Sequence, residues 1–127
     1  MKILVIDDEK QIRDMLRKSL EFEGHQVFSA QNGVDGIHAF YRFHPNIVIT
    51  DIYMPEKDGM EVIVELLESN PDLPIIAMSG NYRTMTADYN LELAITLGAK
   101  GILVKPFNLE ELRVIIADIV RQTDLTI

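Results

Sequence analysis

Five polar residues of this chain sit where short apolar runs end, and their types suit one chemistry. Asp7 and Asp8 follow Ile3–Ile6, Asp51 follows Ile47–Thr50, Ser79 follows Ile75–Met78, and Lys105 follows Ile102–Val104. Three carboxylates brought close together in dry surroundings do not all stay ionised without a compensating cation. An all-oxygen acidic set suits Mg²⁺, a hard ion that keeps several waters and takes only a few protein ligands. Lys105 adds a flexible point charge able to reach a phosphoryl oxygen, and Ser79 adds a hydroxyl donor. A metal, an ammonium and a hydroxyl around one carboxylate would stabilise charge developing on a transferring phosphoryl group. Asp51 is then the candidate nucleophile, in the manner of carboxylates that form aspartyl phosphate.

Such a meeting requires the runs to be strands of one parallel sheet, in which every carboxyl end lies on the same edge. The five runs are Ile3–Ile6, Val27–Ala30, Ile47–Thr50, Ile75–Met78 and Ile102–Val104. They are mostly apolar rather than strictly alternating, as strands covered on both faces are. Amphipathic stretches lie between them. Ile12, Met15, Leu16, Ser19 and Leu20 predict a first helix with Gly24 as its stop, and Ile37, Phe40 and Tyr41 a second, ended at Pro45. Ile63, Leu66 and Leu67 predict a third helix, closed by Asn70-Pro71, and Leu91, Ala94 and Ile95 a fourth before Gly98. Leu112, Ile115, Ile116 and Ile119 predict a fifth, with Asn108 as N-cap. Strands alternating with helices imply βαβ units and right-handed crossovers, hence a doubly wound (βα)5 α/β fold. In the strand order 2-1-3-4-5, the acid pair on strand 1 would neighbour Asp51 on strand 3, about 4.8 Å away, at the topological switch point.

Composition narrows the function classes. The 127 residues suit one domain over 1–127, large enough for a core without staples. The absence of cysteine excludes disulfides, thiol nucleophiles and cysteine metal sites, and agrees with a reducing compartment. A net charge of −8 argues against gripping nucleic acid through overall charge. No apolar run is long enough to span a membrane, and Asp7 interrupts the first run too early for a signal peptide. The expectation is a soluble cytoplasmic protein.

Ile-Asp-Asp-Glu at 6–9, Asp51-Ile-Tyr-Met-Pro-Glu-Lys-Asp-Gly59, Met78-Ser79-Gly80 and Lys105-Pro106-Phe107 together resemble the receiver domain of two-component response regulators. The likeness spans nearly the whole chain, with the motifs in order. It implies a flavodoxin-like fold with strand order 2-1-3-4-5, and phosphoryl transfer to Asp51 from a histidine kinase or histidine phosphotransfer protein. It further implies Mg²⁺ held by Asp7, Asp8 and Asp51 with the backbone carbonyl of Tyr53, Asp8 being a direct ligand. Ser79 would move toward the phosphoryl group, Lys105 would pair with it, and the Lys105–Pro106 bond would be cis. Gly59 would serve the turn after the acceptor loop. The implied role is a signalling phosphoacceptor, not an enzyme acting on other substrates. Its partners would be the kinase, a downstream target protein and, on phosphorylation, a second copy of the chain, without direct contact to nucleic acid or membrane. The few residues after the fifth helix predict a stand-alone receiver whose output face surrounds helix 4, strand 5 and helix 5.

The chain departs from the family pattern at Ile102, where many receivers carry Tyr or Phe; plain sheet-edge packing is expected there. The segment after Ser79 is longer than in the commonest receivers, which makes Tyr82, Arg83 and Tyr89 candidates for the switch. Tyr53 and Asn81 flank the expected path of attacking water. Blander readings compete. Asp8 with Gln11 fits a capping box, Ser79-Gly80 is a common turn, and His25, His38 and His44 share no metal-ligand spacing. Two rival functions remain: a receiver that binds partners without phosphorylation, and a Mg²⁺-dependent aspartyl phosphohydrolase. The haloacid dehalogenase type of the latter wants a second acid two residues after the nucleophile, where this chain has Tyr53. A flavodoxin would need a Ser/Thr-Gly-rich phosphate loop after strand 1, which is missing.

Overall fold

A computed structural model describes residues 1–54, 57–80 and 92–123. Its strands are β1 (Lys2–Ile6), β2 (Gln26–Ala30), β3 (Ile47–Asp51), β4 (Ile75–Gly80) and β5 (Gly101–Lys105). Its helices are α1 (Lys10–Phe22), α2 (Gly33–Phe43), α3 (Gly59–Ser69), a segment over 92–97 here called α4, and α5 (Leu109–Thr123). All strand pairs are parallel, in the order β2-β1-β3-β4-β5. The doubly wound α/β fold expected from the run-and-helix alternation is the one observed. Asn81, Tyr82, Arg83, Tyr89 and Leu91 lie outside the described residues, as does Pro55.

Strand pleating sends alternate residues to opposite faces, and both faces are covered, which explains why the central runs are apolar throughout. Ile3, Val5, Ile47, Ile49, Ile76, Met78 and Leu103 pack with Leu16 and Leu20 of α1 and with Leu112, Ile116 and Ile119 of α5. Leu4, Ile6, Val48, Ile75 and Ala77 pack with Ile37 and Phe40 of α2, with Val62, Ile63 and Leu66 of α3, and with Ala94 of α4. Each fully buried Ile or Leu contributes roughly 1.5–3 kcal/mol relative to exposure. Such packing makes β1, β3 and β4 a rigid base for whatever stands on their ends. The outer strands are less covered, and on β2 Arg17 of α1 donates to the Val27 carbonyl (2.8 Å) and to Ser29 Oγ (3.0 Å). At β5, Ile102 is 39 % exposed in register with Ala77, as sheet-edge packing requires.

Most helix boundaries fall where the sequence places them. Gly24 and Gly98 take positive φ just past α1 and α4, and Asn70 closes α3. Asn108 Oδ1 accepts the Glu111 N–H at 2.9 Å, capping α5. The Asp8–Gln11 capping box does not form. Glu9 is the N-cap of α1, and the carboxylate active at this helix start is that of Asp7, whose Oδ1 accepts the Glu9 N–H at 2.8 Å. With Glu9 as N-cap the helix starts at Lys10, so Asp8 and Gln11 are one residue out of register for the box.

Candidate functional site

The carboxyl ends of β1, β3, β4 and β5 converge on one edge of the sheet. Asp51 is the last residue of β3, in register with Met78, and the next N–H, that of Ile52, donates to the Met78 carbonyl at 2.9 Å. Asp7 follows β1, and its own N–H donates to the Ala30 carbonyl of β2 at 3.1 Å. Its backbone carbonyl accepts from Arg13 Nη1 on α1 at 2.8 Å. The acid loop is thus pinned between the sheet and the first turns of α1. Carboxylate oxygens of Asp7, Asp8 and Asp51 all lie within 4.8 Å of one another, with Asp7 and Asp51 buried and Asp8 exposed.

Lys105 reaches this cluster from the end of β5, past the intervening β4. Its Nζ donates to Asp7 Oδ2 at 2.7 Å and lies 3.4 Å from Asp51 Oδ2 and 3.9 Å from Glu9 Oε1. Lysine length matters here, because β1 and β5 are separated by two strands. The Lys105–Pro106 peptide bond is cis, as the family resemblance implied. Asp7 thus accepts one protein donor on each oxygen, from Glu9 N–H and from Lys105, and each oxygen keeps a lone pair for a further ligand. Asp7, Asp8 and Asp51 can each offer an oxygen to a metal ion.

Burial dominates the electrostatics of Asp51. Its carboxyl is pushed up to about 7, with burial the largest cause and the charges of Asp7 and Asp8 adding to it; the Lys105 ammonium works in the opposite direction but does not cancel them. Lys105 itself is pulled down by burial, yet the hydrogen bond to Asp7 and the charges of Asp51, Asp7 and Glu9 prevail and hold it above the usual lysine range. One ammonium does not balance three carboxylates. The site is an acidic cleft of about 390 Å³, lined by Asp8, Glu9, Asp51, Tyr53, Met54, Gly80 and Lys105.

Of the residues singled out from the sequence, Asp7, Asp8, Asp51 and Lys105 come together as expected. Tyr53 stands at the cleft, 48 % exposed. Ser79 is fully buried at the end of β4, and its hydroxyl donates to the Gly80 carbonyl at 3.4 Å instead of joining the Asp–Lys network. Glu9 and Arg13 were not among the predicted site residues. Glu9 could have been found from the Ile-Asp-Asp-Glu run, whereas nothing in the sequence marks Arg13 beyond its place in the first turns of α1. On the turn side, Asp58 Oδ1 caps α3 through Glu61 N–H at 3.0 Å, and Gly59 N–H donates to the Ile52 carbonyl at 2.8 Å. A Cβ on Gly59 would lie 2.1 Å from the Asp51 carbonyl oxygen, so only glycine fits behind the acid.

A parallel sheet in this order, carrying an acid triad and a lysine at its carboxyl edge, defines a receiver domain. The chain belongs to the response regulator receiver domain family, whose model matches residues 3–117. It is 36 % identical over 123 residues to "Response regulator MprA" of Mycobacterium leprae, covering 97 % of this chain and 52 % of that protein. It is 40 % identical over 124 residues to "Probable transcriptional regulator ycf27" of Porphyridium aerugineum, covering 97 % of this chain and 49 % of the other. The chain thus spans about half the length of these curated relatives. Among solved structures, a response regulator receiver domain protein from Clostridium thermocellum superposes with a TM-score of 0.88 at 30 % identity, covering 97 % of this chain and 96 % of the other.

Proposed function

We propose that this receiver accepts a phosphoryl group on Asp51 from a phosphohistidine donor and thereby switches its protein contacts. The observation that carries the reading is the placement of Asp51, buried at a strand end, within 4.8 Å of two further carboxylates and 3.4 Å from an ammonium. A carboxylate oxygen of Asp51 attacks phosphorus in line, the P–N bond to the donor histidine breaks, and its electron pair returns to the imidazole. The product is an acyl phosphate, which water later cleaves at phosphorus to restore the carboxylate and release inorganic phosphate. Lys105 meets the negative charge on the phosphoryl oxygens, exchanging part of its contact with Asp7 and Asp51 for it. Ser79, one residue from the end of β4, supplies a hydroxyl to the same oxygens after turning from the Gly80 carbonyl.

The donor set fits Mg²⁺: carboxylate oxygens without nitrogen or sulfur, in an open cleft with space for retained waters. Asp8, Asp51 and the backbone carbonyl of Tyr53 would hold the ion, with Asp7 beside them. The bound ion supplies positive charge opposite the transferring phosphoryl group. The protein turns over no external substrate; it promotes its own phosphorylation and dephosphorylation.

Donor and target are both proteins: a histidine kinase or histidine phosphotransfer protein upstream and a target downstream, with a second copy of the phosphorylated chain as a further partner. The exposed apolar side chains Ile95 on α4, Ile102 on β5 and Val114 on α5 support output through that face. To invert a 1:99 equilibrium, phosphorylation must favour the active state by roughly 5.5 kcal/mol. Among the described residues no helix is long and apolar enough to cross a membrane, and a cysteine-free chain suits the cytoplasm, where we place the protein.

Intact mass after incubation with acetyl phosphate tests the reading. An adduct of one phosphoryl group that needs Mg²⁺ and disappears in Asp51→Asn is expected. A wild-type chain that remains unmodified while folded would reassign the domain to phosphorylation-independent binding.

A further inference from the structure

Thr50 is a fully buried polar residue that takes no direct part in the phosphoryl chemistry. It precedes Asp51 on β3 and is flanked in register by Ile6 of β1 and Ala77 of β4, both wholly buried. A hydroxyl in such surroundings costs free energy unless it is hydrogen-bonded, and a valine of nearly the same shape would suit the packing better. Among the described residues the hydroxyl has one partner: Thr50 Oγ1 donates to the backbone carbonyl of Asp51 at 3.0 Å.

That carbonyl belongs to the peptide unit joining Asp51 to Ile52, and the unit is held on every side. Its N–H donates to the Met78 carbonyl at 2.9 Å. Its oxygen takes the Thr50 hydroxyl and is backed by Gly59, where any Cβ would intrude to 2.1 Å. The following carbonyl, that of Ile52, is fixed by the Gly59 N–H at 2.8 Å. Register with β1 stops at the Ile6–Thr50 pair, so the Asp51 carbonyl lies past the last β1 pair. Rotation of this peptide plane would swing the Asp51 side chain relative to the loop that starts at Ile52.

We propose that Thr50 is a positioning residue for phosphoryl acceptance, its hydroxyl locking the Asp51–Ile52 peptide plane and with it the aim of the Asp51 carboxylate. The proposal rests on the reading of Asp51 as phosphoacceptor. In-line attack tolerates little misalignment, and displacements of about 1 Å cost up to about a hundredfold in rate. Loss of one of several restraints on the plane corresponds to a smaller effect, about tenfold.

Thr50→Val and Thr50→Ser, made in the whole chain beside wild type and Asp51→Asn, test it. Adduct formation is followed by mass against acetyl phosphate concentration at saturating Mg²⁺, and each variant is unfolded in urea. For Thr50→Val the limiting rate should fall about tenfold, with the half-saturating acetyl phosphate concentration unchanged and the urea midpoint equal or higher. Thr50→Ser should return the rate to within about twofold of wild type. A Thr50→Val chain phosphorylated at the wild-type rate would refute the positioning role, as would a rate loss that Ser does not restore or that only follows a lowered urea midpoint. No adduct on wild type would overturn the acceptor reading and Thr50 with it, whereas equal labelling of wild type and Thr50→Val overturns Thr50 alone.

Discussion

Replacing Asp51 by asparagine should stabilise the metal-free protein, and by an amount that depends on pH in a defined way. Asp51 is 5 % exposed, and its carboxyl is raised from 3.8 to about 7 by burial and by Asp7 and Asp8, against the pull of Lys105. Because its folded value lies above its unfolded one, the stability it contributes is full below about 4 and is lost as pH rises through about 7. Asparagine keeps the shape of the protonated acid and never ionises. The gap between 3.8 and about 7, at ~1.4 kcal/mol per pH unit, sets an upper value of about 4 kcal/mol for the advantage of Asp51→Asn at pH 8. Relaxation around the exposed Asp8 side of the cleft brings the expectation to roughly 2–4 kcal/mol, on the order of 10 °C in Tm for a chain of this size. Urea unfolding of both proteins in EDTA, at intervals from pH 4 to 8.5, reads the difference directly as a change in midpoint at constant slope. The advantage should be near zero at pH 4, grow through pH 5 and 6, and level off above pH 7. A difference that ignores pH, or an Asp51→Asn protein less stable than wild type at pH 8, would refute the electrostatic account of the site.

Saturating Mg²⁺ should add stability to wild type at pH 7.5, about 2.7 kcal/mol at a hundred times Kd, and much less to Asp8→Asn or Asp51→Asn; thermal melts across a Mg²⁺ titration measure it. Equal gains in all three proteins would remove the acid cluster as the binding site. Lys105→Met strips the ammonium from Asp7 and Asp51 and should cost about 2–4 kcal/mol at pH 8 in EDTA, part of it recovered in the double variant with Asp51→Asn. Strict additivity in the four urea curves would mean the two groups do not interact. Gly59→Ala drives a methyl into the Asp51 carbonyl and should destabilise by 2 kcal/mol or more, at roughly the upper half of what single changes usually do. A urea midpoint matching wild type would show that the α3 turn yields without strain.

What the sequence makes visible here follows from what its signals encode. Periodicity encodes which faces are covered, so the alternation of all-apolar runs with i, i+3, i+4 patterns is enough for a doubly wound parallel sheet. It says nothing of strand order, and 2-1-3-4-5 comes instead from the resemblance carried by the motifs around Asp7, Asp51, Ser79 and Lys105. Once the fold is parallel, position at a strand's end is itself a coordinate, which is why Asp7, Asp8, Asp51 and Lys105 could be expected together. Position does not fix a rotamer, and Ser79, correctly placed on the edge, spends its hydroxyl on Gly80. Nor does a capping pattern fix where a helix begins: Asp8 and Gln11 have the right spacing, but the N-cap falls one residue later, at Glu9, whose N–H is taken by Asp7. Arg13 and Thr50 are harder still. An arginine on a helix and a β-branched residue in a strand are what propensity alone supplies, so neither advertises that its polar atoms end on the backbone carbonyls of Asp7 and Asp51. Both residues act on main chain next to the acids and not on the acids themselves. Residues of that kind leave no pattern of type and spacing, and they emerge only when each buried donor is followed to its acceptor.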